Sequence, residues 1–259
     1  MALIDKLKCK TSHARFAVVF SVVLYVVCNA LNIDKLTQWF IHKDGYNYYG
    51  LAAYLLAGLC LFLFFFVLLA HRWTIKPLAI ALVATSAVAT YFISKYDVAI
   101  DSSMIMNTIH TDPTEVGQLV SVQMIPYGLL LIALPVLIIA RVEITFAGKG
   151  RYLLDSLKLI ATALVVAVLA LYSNYNAIHR AGNVSNKYIV YSLVPINILT
   201  GTMSVASKLA KPYIGHKKTV EVSGRVAEPG DLVVVLAIGE ASRRKSFSLY
   251  GYGRQNTNP

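Results

Sequence analysis

Charge is scarce in this sequence. Asp, Glu, Lys and Arg make up 14% of its 259 residues, where a soluble domain carries about 25%, and the mean hydropathy is +0.60. That excludes an ordinary water-soluble domain for most of the length. Acidic residues are the scarcer kind, 13 against 24 Lys and Arg, for a net charge of +11. In a membrane protein such an excess reports orientation and contact with anionic lipid before it reports nucleic acid, so no nucleic-acid partner is expected. Cysteine is confined to Cys9, Cys28 and Cys60, in or before the first two apolar segments and without a CxxC. This excludes a disulfide framework and a zinc knuckle.

What is abundant is long apolar sequence. A bilayer core of about 30 Å needs about 20 apolar residues as helix. Residues 16–33, 51–70, 77–94 and 123–140 contain no Asp, Glu, Lys or Arg, and 159–172 is a fifth, shorter run. The fifth is expected to extend back through Leu153 and Leu154, with Lys158 snorkelling. The first run also has the look of a signal peptide, with Lys6, Lys8, Lys10 and Arg15 before it and Cys28-Asn29-Ala30 as a small-residue cleavage site. Four further spans favour an uncleaved anchor.

The connecting segments set the expected orientation. The N-terminus, residues 71–76 and residues 141–151 are rich in Lys and Arg and are expected to be cytoplasmic. The alternate segments carry fewer cations, Lys35 and Lys43 in one and Lys95 outnumbered by Asp97, Asp101, Asp112 and Glu115 in the other, and are expected outside. An odd number of spans places everything after Tyr172 outside. The aromatic groups Trp39, Phe40, Tyr46, Tyr48 and Tyr49, then Tyr91, Phe92 and Tyr96, then Tyr172 and Tyr175 mark the same interface.

Composition changes at residue 174. The stretch 188–209 mixes apolar residues with Ser, Thr and Asn and holds Pro195 and Gly201, which predicts one or two interfacial helices on the membrane surface. Residues 208–218 read as a basic linker. At Pro229-Gly230-Asp231 a new pattern begins, and 232–238 is a β-branched and Leu run of the kind that a strand buried on both faces shows. One such strand is no domain, since its faces and edges need partners. The expected layout is therefore a five-span transmembrane domain over 1–173, periplasmic interfacial helices and linker over 174–228, and the start of an incomplete periplasmic α/β catalytic domain over 229–259. In fold class this is an all-α membrane domain, five transmembrane helices plus interfacial helices, followed by the first strand of a truncated α/β domain.

The strand is followed by Gly239-Glu240-Ala241-Ser242-Arg243, then Phe247-Ser248-Leu249-Tyr250-Gly251-Tyr252-Gly253-Arg254 and Thr257-Asn258-Pro259. In α/β sheets ligands bind beyond the carboxyl ends of strands, so Glu240 is placed for a metal or a reacting group, and a carboxylate oxygen is an acceptable zinc ligand. A turn cap at the strand end is the competing role, and spacing alone does not choose. These residues, with five spans before them, resemble the inner-membrane phosphoethanolamine transferases that modify lipid A and related envelope glycans, the group that includes the enzymes of polymyxin resistance. The likeness rests on the apolar strand, the Gly-Glu turn with Arg243 three residues on, the Ser-Leu-x-Gly-Tyr-x-Arg run and the closing Asn-Pro. The family pattern usually has Thr after Gly-Glu, where this chain has Ala241 and then Ser242.

The resemblance implies a periplasmic catalytic domain of the alkaline phosphatase and sulfatase type that binds zinc, with Glu240 matching the first zinc ligand. It implies a Thr nucleophile beyond residue 259, together with later Asp and His ligands, and so an inactive chain by itself. It implies phosphatidylethanolamine as donor, lipid A or another lipopolysaccharide group as acceptor, and residence in the bacterial inner membrane with the N-terminus cytoplasmic. Ser242 is not at the nucleophile's position.

A second constellation is Asn107, Thr111 and Glu115, spaced i, i+4, i+8 between the third and fourth spans. A continuous helix would align them on one face. Asp112-Pro113-Thr114-Glu115 also reads as a helix start, with Asp112 as N-cap and Glu115 closing a capping box. In the family, polar residues in this pattern line the phosphoethanolamine donor site, and a carboxylate beside a helix start can still face an ammonium group. His110 and His179 are single histidines at an aqueous boundary. Arg243, Arg244 and Lys245 read as a solvated charge run, Gly251-x-Gly253 lacks the rest of a dinucleotide fingerprint, and Asn183-Val184-Ser185 is a sequon by pattern only. The alternative function is a non-enzymatic membrane protein, a small transporter or lipid-binding module. Against it, the four longest runs hold no ionisable residue of the kind that marks an ion-coupled path.

Overall fold

The computed structural model describes residues 10–34, 36–37, 48–112, 121–176, 178–179 and 191–210, all within one compact unit, Met1–Pro212. Among the described residues, five helices are long and apolar enough to cross a membrane. They are α1 (His13–Ala30), α2 (Tyr48–Leu69), α3 (Ile75–Tyr96), then, after a short α4 (Ser102–His110), α5 (Met124–Arg141) and α6 (Lys149–Ser173). A further helix, α7 (Ile196–Ala210), follows. The strand expected over 232–238 lies outside the described residues.

The helix ends follow their capping chemistry. At the start of α1 the Ser12 side chain accepts the Arg15 N–H at 3.3 Å, satisfying one of the first-turn donors that a helix leaves open. α3 stops at Asp97, whose φ of 54° is left-handed and whose N–H closes the last turn on Ile93 O at 3.2 Å. α5 accommodates Pro126 and Pro135 through a π-helical segment over Gly128–Ala133. Proline removes a donor and crowds the carbonyl a turn earlier, and a wider turn absorbs both effects within lipid.

Packing inside the bundle uses two devices. Between α2 and α6 the contacts are small: Ala53 and Ala57 cluster with Ala170, and Cys60 with Ala163 and Ala167. Small residues let membrane helices approach closely where burial of apolar area gives no advantage over lipid. Between α1 and α2 the contact is aromatic, with the rings of Phe20 and Phe66 centred 4.7 Å apart and Phe16 stacked on Phe20 at 5.8 Å. Gly58 is required here, because a Cβ would run into the Tyr25 hydroxyl and stand 2.9 Å from Leu193 Cδ1. Cys28 and Cys60 are buried free thiols.

The all-α expectation needs one addition. Strand β1 (Lys10–Ser12) pairs in parallel with β2 (Glu143–Thr145), in the register Lys10↔Glu143, Thr11↔Ile144, Ser12↔Thr145. Three-residue strands carry too little periodicity to be read from sequence, and these partners are far apart in the chain. The sheet ties the start of α1 to the end of α5 and defines one end of the bundle. At that end Tyr152 Oη donates to Ala70 O at 3.1 Å, Lys76 Nζ donates to Ala140 O at 3.2 Å, and His13 packs against Tyr152 and Phe146 at 4.6 and 5.8 Å between ring centres. Alternation of the five spans puts α4 and α7 at the opposite end.

Candidate functional site

At the end opposite the sheet, α4 and α7 pack together over the mouths of α1 and α3. The connector after Asp97 delivers Ile100 into a small apolar cluster with Cys28, Ala89, Ile93 and Val194. Asp101 then caps α4: its Oδ1 accepts the Ser103 and Met104 N–H groups at 3.0 and 2.9 Å. Gly201 lets α7 sit directly on α4, since a Cβ there would lie 2.5 Å from Ile105 Cδ1. Lys208 Nζ donates to Ser102 Oγ at 3.0 Å across the same contact.

What fixes this pair to the bundle is Asn29, at the end of α1. Its Nδ2 donates to Val194 O at 2.6 Å and to Tyr25 O at 2.8 Å, and its Oδ1 accepts the Val194 N–H at 3.2 Å. Both residues are buried. Nearby, Ser94 Oγ donates to Asn32 Oδ1 at 2.6 Å, joining α3 to the residues just after α1. Deep in the bundle only helices satisfy the backbone unaided, so the irregular segment at 193–195 depends on these side-chain bonds.

Of the residues expected to bind donor, two are described. Ile105 faces α7, and two residues on, about 200° further round the helix, Asn107 is exposed. α4 ends at His110, and Thr111 has extended backbone, so Asn107, Thr111 and Glu115 do not lie on one continuous helix. The residue preceding a proline avoids the helical region, and helices end at or before it; here Asp112 precedes Pro113. Thr111 nevertheless stays beside Asn107, because its Oγ1 donates to Asn107 O at 2.7 Å. Glu115 and Glu240 lie outside the described residues. Among the described residues no three His, Cys, Asp or Glu side chains come together as a metal site. His110 is exposed, and His179 stacks on Tyr175 with ring centres 5.5 Å apart.

Aromatic side chains ring this end. Tyr91 is buried, its hydroxyl 2.9 Å from Ser121 Oγ and its ring 5.2 Å from that of Tyr127, while Tyr49, Tyr172 and Tyr175 are exposed. Such rings sit where hydrocarbon meets water. The arrangement therefore offers an amide and a hydroxyl beside a lipid headgroup layer. Sequence reasoning missed Asn29 as a lock and α4 as a helix. The Asp101-Ser102-Ser103 start before Met104 and Ile105 was the available signal for α4.

Residues 58–210 match the family model described as phosphoethanolamine transferase EptA/EptB. The chain belongs to this family. It is 28% identical over 253 residues to the phosphatidylethanolamine transferase Mcr-1 of Escherichia coli, covering 95% of this chain and 46% of that protein. It is 32% identical over 195 residues to the phosphoethanolamine transferase EptA of Escherichia coli K12, covering 72% of this chain and 35% of that protein. In structure it is similar to the integral membrane lipooligosaccharide phosphoethanolamine transferase A (EptA) of Neisseria meningitidis, with a TM-score of 0.79 at 22% identity, over 95% of this chain and 46% of that one. This phosphoethanolamine transferase family member thus spans less than half the length of these relatives. It is a membrane protein with their helical membrane fold.

Proposed function

We propose that this chain holds the phosphatidylethanolamine donor for a phosphoethanolamine transferase of the bacterial inner membrane, whose acceptor is lipid A or another envelope glycan. The observation that carries this reading is Asn107, exposed on α4 with Thr111 folded back onto it, at the aromatic end of the bundle. Phosphatidylethanolamine presents a phosphodiester and an ammonium group. The Asn107 amide N–H suits a phosphodiester oxygen, the Thr111 hydroxyl, whose hydrogen is committed to Asn107 O, is left to accept from the ammonium, and the Glu115 carboxylate suits the ammonium as well. Transfer breaks the bond from phosphorus to the glycerol oxygen, releases diacylglycerol, and places the group on a Thr nucleophile beyond residue 259 before the acceptor takes it. Zinc held in part by Glu240 would, when bound, lower the pKa of that hydroxyl. On this reading residues 1–259 by themselves transfer nothing, because Glu240 is the one ligand of the family's set that they hold.

The orientation follows from charge. Lys10, Arg15, Arg72, Lys76, Arg141, Lys149 and Arg151 gather at the sheet end, which the positive-inside rule assigns to the cytoplasm and which leaves α4 and α7 on the periplasmic side. The test is mass spectrometry of lipid A from cells carrying the complete gene. Glu240→Ala is expected to abolish transfer with membrane insertion intact. Glu115→Gln is expected to weaken donor use by about 1–3 kcal/mol, roughly five- to 150-fold in turnover. Full transfer by Glu115→Gln at limiting phosphatidylethanolamine would leave that residue with its capping role alone.

A further inference from the structure

The sheet ties the start of α1 to the end of α5, and between these two helices, floored by α3, runs an apolar groove of about 610 Å³. It extends along α1 from Arg15 to Cys28, about 20 Å at 1.5 Å per residue. That is a little more than one leaflet of a hydrocarbon core about 30 Å thick. Val83 and Ala87 form its floor and Leu130, Leu134 and Ile138 its far wall. The π-helical segment and Pro135 lie on that wall, where the altered turn sets α5 off from α1.

The groove is apolar along its length and cationic at its mouth. Arg15 stands at the sheet end, exposed, with no acidic partner among the described residues, while the neighbouring Glu143 faces Lys10 at 3.7 Å. An apolar space in a bilayer fills with hydrocarbon, and an unpaired guanidinium at the headgroup level pairs with phosphate, where its fork matches the anion's geometry. We infer that the groove is a phospholipid site separate from the donor site at the α4 end: one acyl chain lies between α1 and α5 and its phosphate sits on Arg15. Such a lipid completes the packing of α5, which is otherwise the least buried of the five spans. The inference stands whether or not the donor reading does, since it uses no residue of α4 or α7.

The experiment uses the full chain in nanodiscs with phosphatidylglycerol bearing a photoreactive group midway along one acyl chain, followed by peptide mapping. Labelling of α1 and α5 at the groove is expected to exceed that of the lipid-facing side of α6, where Leu157, Leu164 and Val168 are exposed. Arg15→Gln is expected to lower groove labelling about five-fold, the factor one cation near a lipid surface contributes. Diacylglycerol with the same photoreactive chain, which lacks the phosphate, is expected to label the groove about five-fold less than phosphatidylglycerol does. Val23→Trp with Leu134→Trp fills the groove and is expected to abolish its labelling while α6 is labelled as before, which reports that the variant is inserted. Equal labelling of groove and α6 in the parent, or groove labelling indifferent to Arg15 and to the two tryptophans, would overturn the inference.

Discussion

Replacing Asn29 with Leu keeps the side chain's approximate volume and removes its polar end. Three hydrogen bonds are then lost, two of them to the backbone of Val194, which is fully buried. The Tyr25 carbonyl is still satisfied within its helix, so the cost falls on the Val194 N–H and C=O. Interhelical polar contacts in membranes contribute about 0.6–2 kcal/mol each, so two orphaned groups give about 1–4 kcal/mol. The assay is denaturant or thermal unfolding of the purified protein in detergent, read beside hydrogen exchange at the Val194 amide. Exchange there is expected to quicken by about ten-fold for each 1.4 kcal/mol of lost protection, while the Leu193 O to Asn197 N bond of the following turn persists. In cells with the complete gene, transfer is expected to fall as well, because α7 and α4 lose their anchor to α1. A stability change under about 0.5 kcal/mol with unaltered Val194 exchange would refute the reasoning.

Two further outcomes follow from the same geometry. Gly201→Ala is expected to be near neutral, because the Ile105 methyl it meets is the end of a side chain and alanine gains about 1 kcal/mol of helix propensity. Gly201→Val is expected to cost about 1–3 kcal/mol in the same unfolding assay, since its added methyls meet the capped Asp101 backbone, already 3.6 Å from a Cβ at that position. A reporter active only outside the cytoplasm, fused after Lys218, is expected to be active, and one fused in the turn at 71–74 silent; the reverse would sink the orientation.

The spans were legible because nothing but a membrane tolerates such long uncharged runs, and their edges were less so. The third run reads as 77–94, yet the helix is Ile75–Tyr96, because Lys76 and Lys95 end their aliphatic stems in the interface rather than ending the helix. The fifth reads from Leu153 with Asp155 and Lys158 inside it, as α6 has them, and the helix begins one turn earlier, at Lys149, taking in Arg151 as well. Neither the β1–β2 pairing nor the bonds between Asn29 and Val194 leave a local pattern, since each joins segments more than a hundred residues apart. Asn107, Thr111 and Glu115 have the spacing of one helix face, but the helix ends at His110, before the Asp112-Pro113 step. The proximity of Asn107 and Thr111 survives through a single side-chain bond instead.

The central claim is that donor lipid is held at the α4 end by Asn107, Thr111 and Glu115. Its most direct measurement is photocrosslinking of the chain, in phosphatidylethanolamine nanodiscs, with phosphatidylethanolamine carrying a photoreactive headgroup. The account predicts that labelled peptides concentrate within 102–115, and that Asn107→Ala combined with Glu115→Gln lowers this labelling by about ten-fold or more, the lower end of what a lost charged contact is worth. Headgroup labelling spread evenly around the bundle, or unchanged in the double variant, would contradict it.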